Sequence, residues 1–130
     1  MTSPPELESF FKRYGEALAI GDLETVADSY ACPSLVLGGP EIILVSTRDD
    51  VISAFAGAAE SHRRDGFTRA DASVTVIDDG AADVSWVAVD WVYSSDDGSK
   101  TQNDAYRYLV RRAGGSYSVA ALAPAPLSTG

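Results

Sequence analysis

Three turn signals divide the second half of the chain into four segments that have the length of β-strands. Asp79-Gly80 and Asp97-Gly98 favour the positive φ angles of tight hairpins, and Gly114-Gly115 supplies a third turn of this kind. The pattern predicts strands at about residues 69–76, 81–93, 101–112 and 116–123. Because strands joined by tight turns lie side by side and run in opposite directions, this half of the chain is predicted to form an antiparallel meander.

Two of the predicted strands indicate how the faces of the sheet are used. The first alternates apolar with polar residues, which predicts one buried face with Ala70, Ala72, Val74 and Val76. The second is apolar on both faces, with Trp86 on the face opposite to Trp91. One tryptophan should face the interior, and the pattern leaves open which one. An outer face that carries aromatic residues and Leu109 indicates a homodimer.

The first half of the chain begins with two predicted helices. Ser3 is placed to cap the first helix, and Gly21 is a natural C-terminal stop. Asp22 caps the second helix, which is predicted to include Tyr30 and to end at Cys32-Pro33. Spacings of three and four residues predict that one buried stripe of the first helix contains Leu7, Phe10, Phe11, Tyr14, Ala17 and Leu18.

Two short strands and a third helix complete the first half. The short strands are predicted at residues 34–37 and 41–45, on either side of a turn at Gly38-Gly39-Pro40. Thr47 caps the third helix, which is predicted at about residues 48–64. The single histidine, His62, lies near the end of this helix and is predicted to be partly exposed there.

The order of these elements predicts one α+β domain. A strongly twisted antiparallel sheet curls, and helices pack in its concave side. We therefore expect a cone-shaped curved antiparallel sheet wrapped around three N-terminal helices. The domain spans residues 1–130, with residues 124–130 as a frayed tail of proline and small residues.

Composition restricts the partners of this domain. The 130 residues carry a net charge of −9, so the phosphates of nucleic acids and of anionic membranes would be repelled. The longest apolar runs are too short to span a bilayer. The first six residues lack the basic and apolar regions of a signal peptide, which leads us to expect a cytoplasmic protein.

The sequence contains no pattern that predicts a metal or a cofactor. Cys32 is the single cysteine, so an internal disulfide is excluded and Cys32 is predicted to be a packed small residue. The acidic pairs lie in turns and caps and lack the spacing of a calcium loop. No phosphate-binding loop, zinc ligand set or serine triad is present.

The order of elements and the segment from Tyr14 to Glu24, which reads YGEALAIGDLE, resemble the nuclear transport factor 2-like superfamily. Its members include ketosteroid isomerase, scytalone dehydratase, polyketide cyclases and limonene-epoxide hydrolase. The resemblance extends from about Leu7 to Ala123 and implies the same curved-sheet fold and a homodimer. Because this fold serves enzymes, binding proteins and transport factors, the resemblance alone assigns no activity.

Two segments are similar to ketosteroid isomerase in particular. Arg13-Tyr14 resembles the segment that carries the oxyanion-binding tyrosine, which implies that role for Tyr14. Asp104-Ala105-Tyr106-Arg107-Tyr108 resembles the strand that begins with a protonated aspartic acid, which implies a second hydrogen-bond donor at Asp104. Two such donors would stabilise the negative charge that develops on an enolate oxygen.

The resemblance fails at the general base. The isomerase has a carboxylate directly after its first short strand, where this chain has Leu37-Gly38-Gly39-Pro40. A positioned base contributes about 10²-fold to 10⁴-fold to the rate, so isomerase activity should be mostly lost unless Glu41 takes over. The residues themselves also permit simpler roles, with Tyr14 as a core residue and Asp104 as an ionised residue at a solvent-exposed rim.

These observations lead to two alternatives for the function. In the first, the domain binds a small, mostly apolar molecule that carries a carbonyl or hydroxyl group, either as a binding protein or as an isomerase-like or cyclase-like enzyme. Tyr14 and Asp104 are then the polar contacts, and Tyr30, Phe55, Trp91 and Tyr106 line the pocket. In the second, it is a non-catalytic protein-interaction or dimerisation module whose cavity is filled by Phe10, Phe11, Phe55 and the tryptophans.

Overall fold

The computed structural model describes residues 5–38, 41–79 and 83–125 of the chain. The helices are α1 (Pro5–Ile20), α2 (Leu23–Asp28) and α3 (Arg48–Arg64). The strands are β1 (Tyr30–Gly38), β2 (Glu41–Val45), β3 (Arg69–Asp79), β4 (Val84–Ser94), β5 (Thr101–Ala113) and β6 (Ser116–Pro124). The predicted order of helices and strands is confirmed.

The helix ends follow the local signals of the sequence. Gly21 has a φ of 79°, a left-handed conformation that glycine adopts without a steric penalty. The side chain of Asp22 accepts a hydrogen bond from the backbone N–H of Thr25 at the start of α2. Thr47 and Asp50 form a reciprocal capping box at the start of α3. The caps predicted at Asp22 and Thr47 are therefore confirmed.

The predicted end of the second helix is wrong. α2 ends at Asp28, and Tyr30 and Cys32-Pro33 belong to strand β1 instead. The backbone carbonyl of Ser29 accepts a hydrogen bond of 2.8 Å from the N–H of Val119 on β6, and Tyr30 pairs with the same residue. Pairing with a distant strand therefore overrides the helical spacing of the sequence at this point.

Several predicted features lie outside the described residues. These are the cap at Ser3, the Gly39-Pro40 part of the first turn, Gly80 in the first hairpin and residues 126–130 of the tail. The predicted turns at Asp97-Gly98 and Gly114-Gly115 are described, and all three of their glycines have positive φ.

The six strands form one sheet in the order β2-β1-β6-β5-β4-β3. The four long strands are the predicted antiparallel meander. The β1-β2 hairpin joins this meander through a parallel pairing of β1 with β6, so the sheet is mixed rather than purely antiparallel. α1 packs against β3, and the three helices contact one another.

The two tryptophans lie on opposite faces of the sheet, and the structure shows which of them faces the interior. Trp91 on β4 is 1% exposed and belongs to the core between the sheet and the helices. Trp86 is 42% exposed on the outer face. The predicted buried face of β3 is also confirmed, because Ala70, Ala72, Val74 and Val76 all pack on this core.

An apolar row crosses the outer face of five strands. Cross-strand register places Leu44 beside Leu35, Leu35 beside Ala121, Ala121 beside Leu109, and Leu109 beside Trp86. Leu44 is 62% exposed, and the other four side chains are also at least partly accessible. We call these five residues the outer apolar row.

Gly15 sets the distance between α1 and the sheet. A Cβ atom at this position would lie 2.6 Å from Cζ3 of Trp91 and 2.9 Å from the carbonyl oxygen of Ala70. A side chain of any size would therefore force these elements apart, so Gly15 allows the helix to lie directly on Trp91. No helix among the described residues is both long enough and apolar enough to cross a membrane.

Candidate functional site

A cavity of about 280 Å³ lies between the helices and the inner face of the sheet. Its apolar wall is formed by Leu18, Val36, Leu37, Ile43, Ala54, Phe55, Ala58 and Leu122. Its aromatic and polar wall is formed by Tyr14, His62, Trp91, Tyr93, Asp104, Tyr106 and Tyr108. An apolar cavity with a few polar groups is the usual form of a small-molecule site, and this cavity is near the lower end of the common range of about 300–1,000 Å³.

A larger groove of about 730 Å³ lies elsewhere, between α1, α2 and the β5-β6 turn. Its wall includes Arg13, Thr25, Asp28 and Tyr117, and it contains none of the predicted site residues. Because it is wide and polar and has no convergent set of buried groups, the smaller cavity is the better candidate site.

Three buried tyrosines lie at the deep end of the candidate site, which we call the floor: Tyr14 and Tyr108 line the cavity, and Tyr30 lies behind Tyr14. The hydroxyl groups of Tyr14 and Tyr30 lie 2.8 Å apart and share one hydrogen bond. The hydroxyl oxygen of Tyr108 accepts a hydrogen bond of 2.9 Å from Nε1 of Trp91. All three side chains are at most 5% exposed.

The floor has more hydrogen-bond donors than it uses. A tyrosine hydroxyl donates one proton, and the Tyr14–Tyr30 pair uses only one of its two protons. Tyr108 accepts from Trp91, and its own proton has no acceptor among the described residues. A buried donor without an acceptor is unfavourable, so the floor is suited to an added oxygen atom that accepts hydrogen bonds.

Burial keeps these hydroxyl groups protonated. It raises the pKa of Tyr14, Tyr30 and Tyr108 well above the ordinary value of 10.0, and neighbouring tyrosines raise the pKa of Tyr14 further. The floor therefore consists of neutral hydrogen-bond donors at any pH at which the domain would function.

The shallow end of the cavity, which we call the rim, consists of the partly exposed residues His62, Asp104 and Tyr106. His62 on α3 packs against the ring of Tyr93, with 4.3 Å between ring centroids. Asp104 on β5 lies directly across from Trp91 on β4. The sequence placed His62 near a helix end with partial exposure, which is confirmed, but did not predict that it lines the cavity.

The electrostatics of the rim follow from burial and from one carboxylate. Partial burial lowers the pKa of His62 below 6.5, although the charges of Asp104 and Asp65 oppose this shift. Burial also raises the pKa of Tyr93 and Tyr106, and the charge of Asp104 raises both further. At neutral pH the rim therefore contains a neutral imidazole and a neutral phenol beside Asp104.

The structure brings most of the predicted site residues together. Tyr14, Phe55, Trp91, Asp104 and Tyr106 all line the one cavity. The prediction that Tyr30 lines the pocket is wrong, because Tyr30 is not part of the cavity wall and only its hydroxyl group contacts that of Tyr14. The sequence prediction omitted Tyr108, Tyr93 and His62. Tyr108 and Tyr93 each lie two residues after a predicted site residue on the same strand, and His62 lies two helical turns after Phe55, so each shares a face with a predicted site residue.

The proposed substitute base lies outside the cavity. Glu41 is exposed on β2 and is absent from the cavity wall among the described residues. Gly39 and Pro40, which occupy the place of the expected carboxylate, lie outside the described residues. Within residues 5–38, 41–79 and 83–125, no group of three or more His, Cys, Asp or Glu side chains is arranged to hold a metal ion.

One protein-family model matches almost the whole chain. It is described as "NTF2-like protein (DUF6841)" and covers residues 5–127. No curated protein matches the sequence at a significant level.

Solved structures with the same fold are numerous but distant in sequence. A domain of unknown function with a cystatin-like fold from Nostoc punctiforme has a TM-score of 0.70 at 12% identity, over 93% of this chain and 76% of that one. An NTF2-like protein of unknown function from Shewanella oneidensis has a TM-score of 0.69 at 13% identity, over 90% of this chain and 93% of that one.

A provisionally assigned dehydratase of the NTF2-like family, from Streptomyces avermitilis, has a TM-score of 0.62 at 13% identity, over 95% of this chain and 96% of that one. Similarity at this level of identity concerns the fold alone. It confirms the α+β architecture, with helices held against a curved sheet, that the sequence predicted.

Proposed function

The chain belongs to the NTF2-like family DUF6841, and from this premise we propose that it is a small-molecule-binding domain whose ligand occupies the cavity between floor and rim. The ligand is a small, mostly apolar molecule with a carbonyl or hydroxyl oxygen. This oxygen accepts hydrogen bonds from Tyr14 and Tyr108 at the floor, and Phe55 and Leu122 contact the apolar body.

The surplus of donors at the floor is the observation that carries this proposal. The indole N–H of Trp91 donates a hydrogen bond to the hydroxyl oxygen of Tyr108. The hydroxyl proton of Tyr108 itself has no acceptor among the described residues. Tyr14 and Tyr30 together have a second proton to donate. A ligand oxygen at the floor would accept both, in a site shielded from water where such hydrogen bonds are strongest.

Proton transfer of the isomerase or cyclase type is a second candidate function, and the position of His62 favours it. His62 lines the same cavity as the donors, and its lowered pKa keeps it neutral and able to accept a proton. It would take a proton from the carbon beside a bound carbonyl group. The C–H electron pair would move toward the oxygen, where Tyr14 and Tyr108 would stabilise the enolate. The role of Asp104 as a second donor requires a protonated acid and stays a prediction, as an alternative to any role of Asp104 as a carboxylate.

The alternative of a filled interaction module has less support. Phe10 and Phe11 pack against each other and against Tyr117 and Tyr108, outside the cavity wall. Trp86 lies on the outer face. Among the described residues, these side chains leave a cavity of about 280 Å³ unfilled.

We also propose that a second copy of the chain covers the outer apolar row. The row extends across five strands, and its most exposed members, Leu44 and Trp86, lie at its two ends. Contiguous apolar surface of this kind is unusual on a monomer and typical of an interface. Because the row lies on one continuous face of the sheet, a twofold-related copy of the same face is a partner that fits it.

A thermal-shift screen tests the ligand proposal. Steroids, phenols and cyclic ketones are tested against the wild type, Tyr14→Phe and Tyr117→Phe, a matched control on a tyrosine outside the cavity. A ligand at a hundred times its Kd adds about 2.7 kcal/mol to the free energy of unfolding, a readily visible shift.

We expect a ketone to shift the wild type and Tyr117→Phe equally, and Tyr14→Phe to bind it roughly threefold to tenfold more weakly. Equal binding by all three proteins would contradict a role for the floor. The absence of any shift across the screen would move the assignment to the interaction module.

For the catalytic candidate, the measurement is deuterium uptake from solvent at the carbon beside the carbonyl group, followed by NMR. The wild type is compared with His62→Gln. Uptake that is lost in the variant supports proton transfer, and equal uptake rules out His62 as the base.

A further inference from the structure

The walls of the cavity carry an unbalanced charge. Among the described residues that line it, Asp104 is the one acidic side chain, no lysine or arginine contributes, and His62 and the tyrosines are neutral at neutral pH. The charged groups of the wall are therefore acidic only. An anionic ligand would be repelled, and a cationic group would be attracted.

Within the described part of the chain, Asp104 also has no compensating cation. Its one hydrogen bond from a described residue comes from Nε2 of Gln102, at a long 3.4 Å. No lysine or arginine within the described ranges forms an ion pair with it. Partly buried carboxylates are normally paired with a cation or with several donors, so Asp104 has an unused capacity to bind positive charge.

Three aromatic residues lie near Asp104. Trp91 lies directly across the strand pair from Asp104, and Tyr106 is the next residue on the same face of β5. Tyr93 stacks nearly parallel to Trp91, with an angle of 5° between the ring planes. Aromatic faces attract cations, and they do so most strongly where the cation has lost its water.

We infer that the rim of the cavity binds the protonated amine or quaternary ammonium group of the ligand, with Asp104 as the counter-ion and Trp91, Tyr93 and Tyr106 as aromatic contacts. This inference rests on the proposed function, because the same ligand fills the cavity and reaches the floor. The ligand class is therefore a small aromatic or alicyclic amine with an acceptor oxygen at its far end. The net charge of −9 would raise the local concentration of such a cation.

The test uses a set of probes that share a phenyl ring on a short chain and carry terminal groups of different charge. Isothermal titration calorimetry compares phenethylamine, 2-phenylethanol and phenylacetate as cation, neutral isostere and anion. The proteins are the wild type, Asp104→Asn and Asp71→Asn. The last variant removes the same charge from an exposed position, in register with Val92 on the outer face, and so controls for the acidic surface.

We expect the wild type and Asp71→Asn to bind phenethylamine at least about tenfold more tightly than 2-phenylethanol, and to bind phenylacetate most weakly. Asp104→Asn should bind the amine and the alcohol with similar affinity. An amine preference that survives in Asp104→Asn would overturn the inference, as would equal binding of amine and alcohol by the wild type.

The outcomes separate this inference from the proposed function. If the alcohol or a ketone binds the wild type in a Tyr14-dependent way but the amine gains nothing, the inference fails and the proposed function stands. If amine, alcohol, anion and ketones all fail to bind, both fail together. If the amine binds and Tyr14→Phe has no effect on any ligand, the rim site stands and the floor assignment fails.

Discussion

Gly15 and Trp91 are in such close contact that a Cβ atom on residue 15 would lie 2.6 Å from Cζ3 of the indole ring. The floor and the rim both depend on this contact, because Trp91 holds the Tyr108 hydroxyl and lies across from Asp104. The smallest residue of helix α1 therefore fixes the position of the side chain that connects the two ends of the cavity.

Substitution of Gly15 by alanine should destabilise the protein. The added methyl group would overlap Trp91 and the carbonyl oxygen of Ala70, and overpacking of this kind costs about 1–3 kcal/mol. Gly57→Ala is the matched control, since Gly57 lies in α3 with nothing within 4 Å of its Cβ position. It should stabilise the protein by about 0.5–1 kcal/mol. Urea denaturation measures the free energy of unfolding of both variants. If both substitutions changed it in the same direction, the packing argument would be contradicted.

Substitution of Tyr108 by phenylalanine should cost about 1–3 kcal/mol of unfolding free energy. The indole N–H of Trp91 would be left without its acceptor in a fully buried position. Tyr117→Phe, which changes a partly exposed tyrosine outside the cavity, should change stability by much less. Chemical denaturation gives both values, and equal effects would show that the Trp91–Tyr108 bond contributes little.

His62 should make stability dependent on pH. Its pKa is lower in the folded protein than the ordinary value of 6.5, so the unfolded chain binds protons more readily. The contribution of His62 to stability should therefore be complete above pH 6.5 and decrease as the pH falls below it. The groups that face His62 are Asp104, Tyr93 and Asp65, and none reverses this direction.

The comparison of wild type with His62→Gln isolates this effect. Between pH 7 and pH 5, the Tm of the wild type should fall further than that of the variant. Parallel curves for the two proteins would show that the imidazole is equally basic in the folded and unfolded states.

A lysine at position 86 should weaken self-association. Trp86→Lys places a charge within the outer apolar row and should raise the dimer Kd at least about tenfold. Ile20→Lys is the control, because Ile20 is 69% exposed at the end of α1 and lies outside the row. Sedimentation velocity measures both variants. A wild type that sediments as a monomer at all concentrations would contradict the dimer proposal.

Local signals explain what could be predicted from the sequence. The caps at Asp22 and Thr47 are hydrogen bonds to residues only three positions away, so these residues marked the helix starts correctly. The turn at Gly98 depends on its own backbone angle and was also marked correctly. The alternation along β3 likewise predicted its buried face. Tyr14 and Asp104 were found through resemblance, and the structure places both on one cavity wall.

Long-range contacts explain what could not be predicted. The parallel pairing of β1 with β6 leaves no local trace, and it converts Tyr30 from a helical to a strand residue. The choice between Trp86 and Trp91 depends on which face the helices cover. Tyr108 and His62 did share a strand or helix face with predicted site residues, and that spacing could have identified them.

The β1-β6 pairing has a consequence for how the protein folds. It joins Tyr30 to Val119, so the chain must close a loop that contains β2, α3, β3, β4 and β5 before this part of the sheet exists. Such distant pairings slow folding, and synthesis of the chain reaches β6 after every other element. Leu122 of β6 is part of the cavity wall, so a nascent chain would acquire its binding site only at the final step. A ligand of this cavity would therefore distinguish the completed fold from every earlier intermediate.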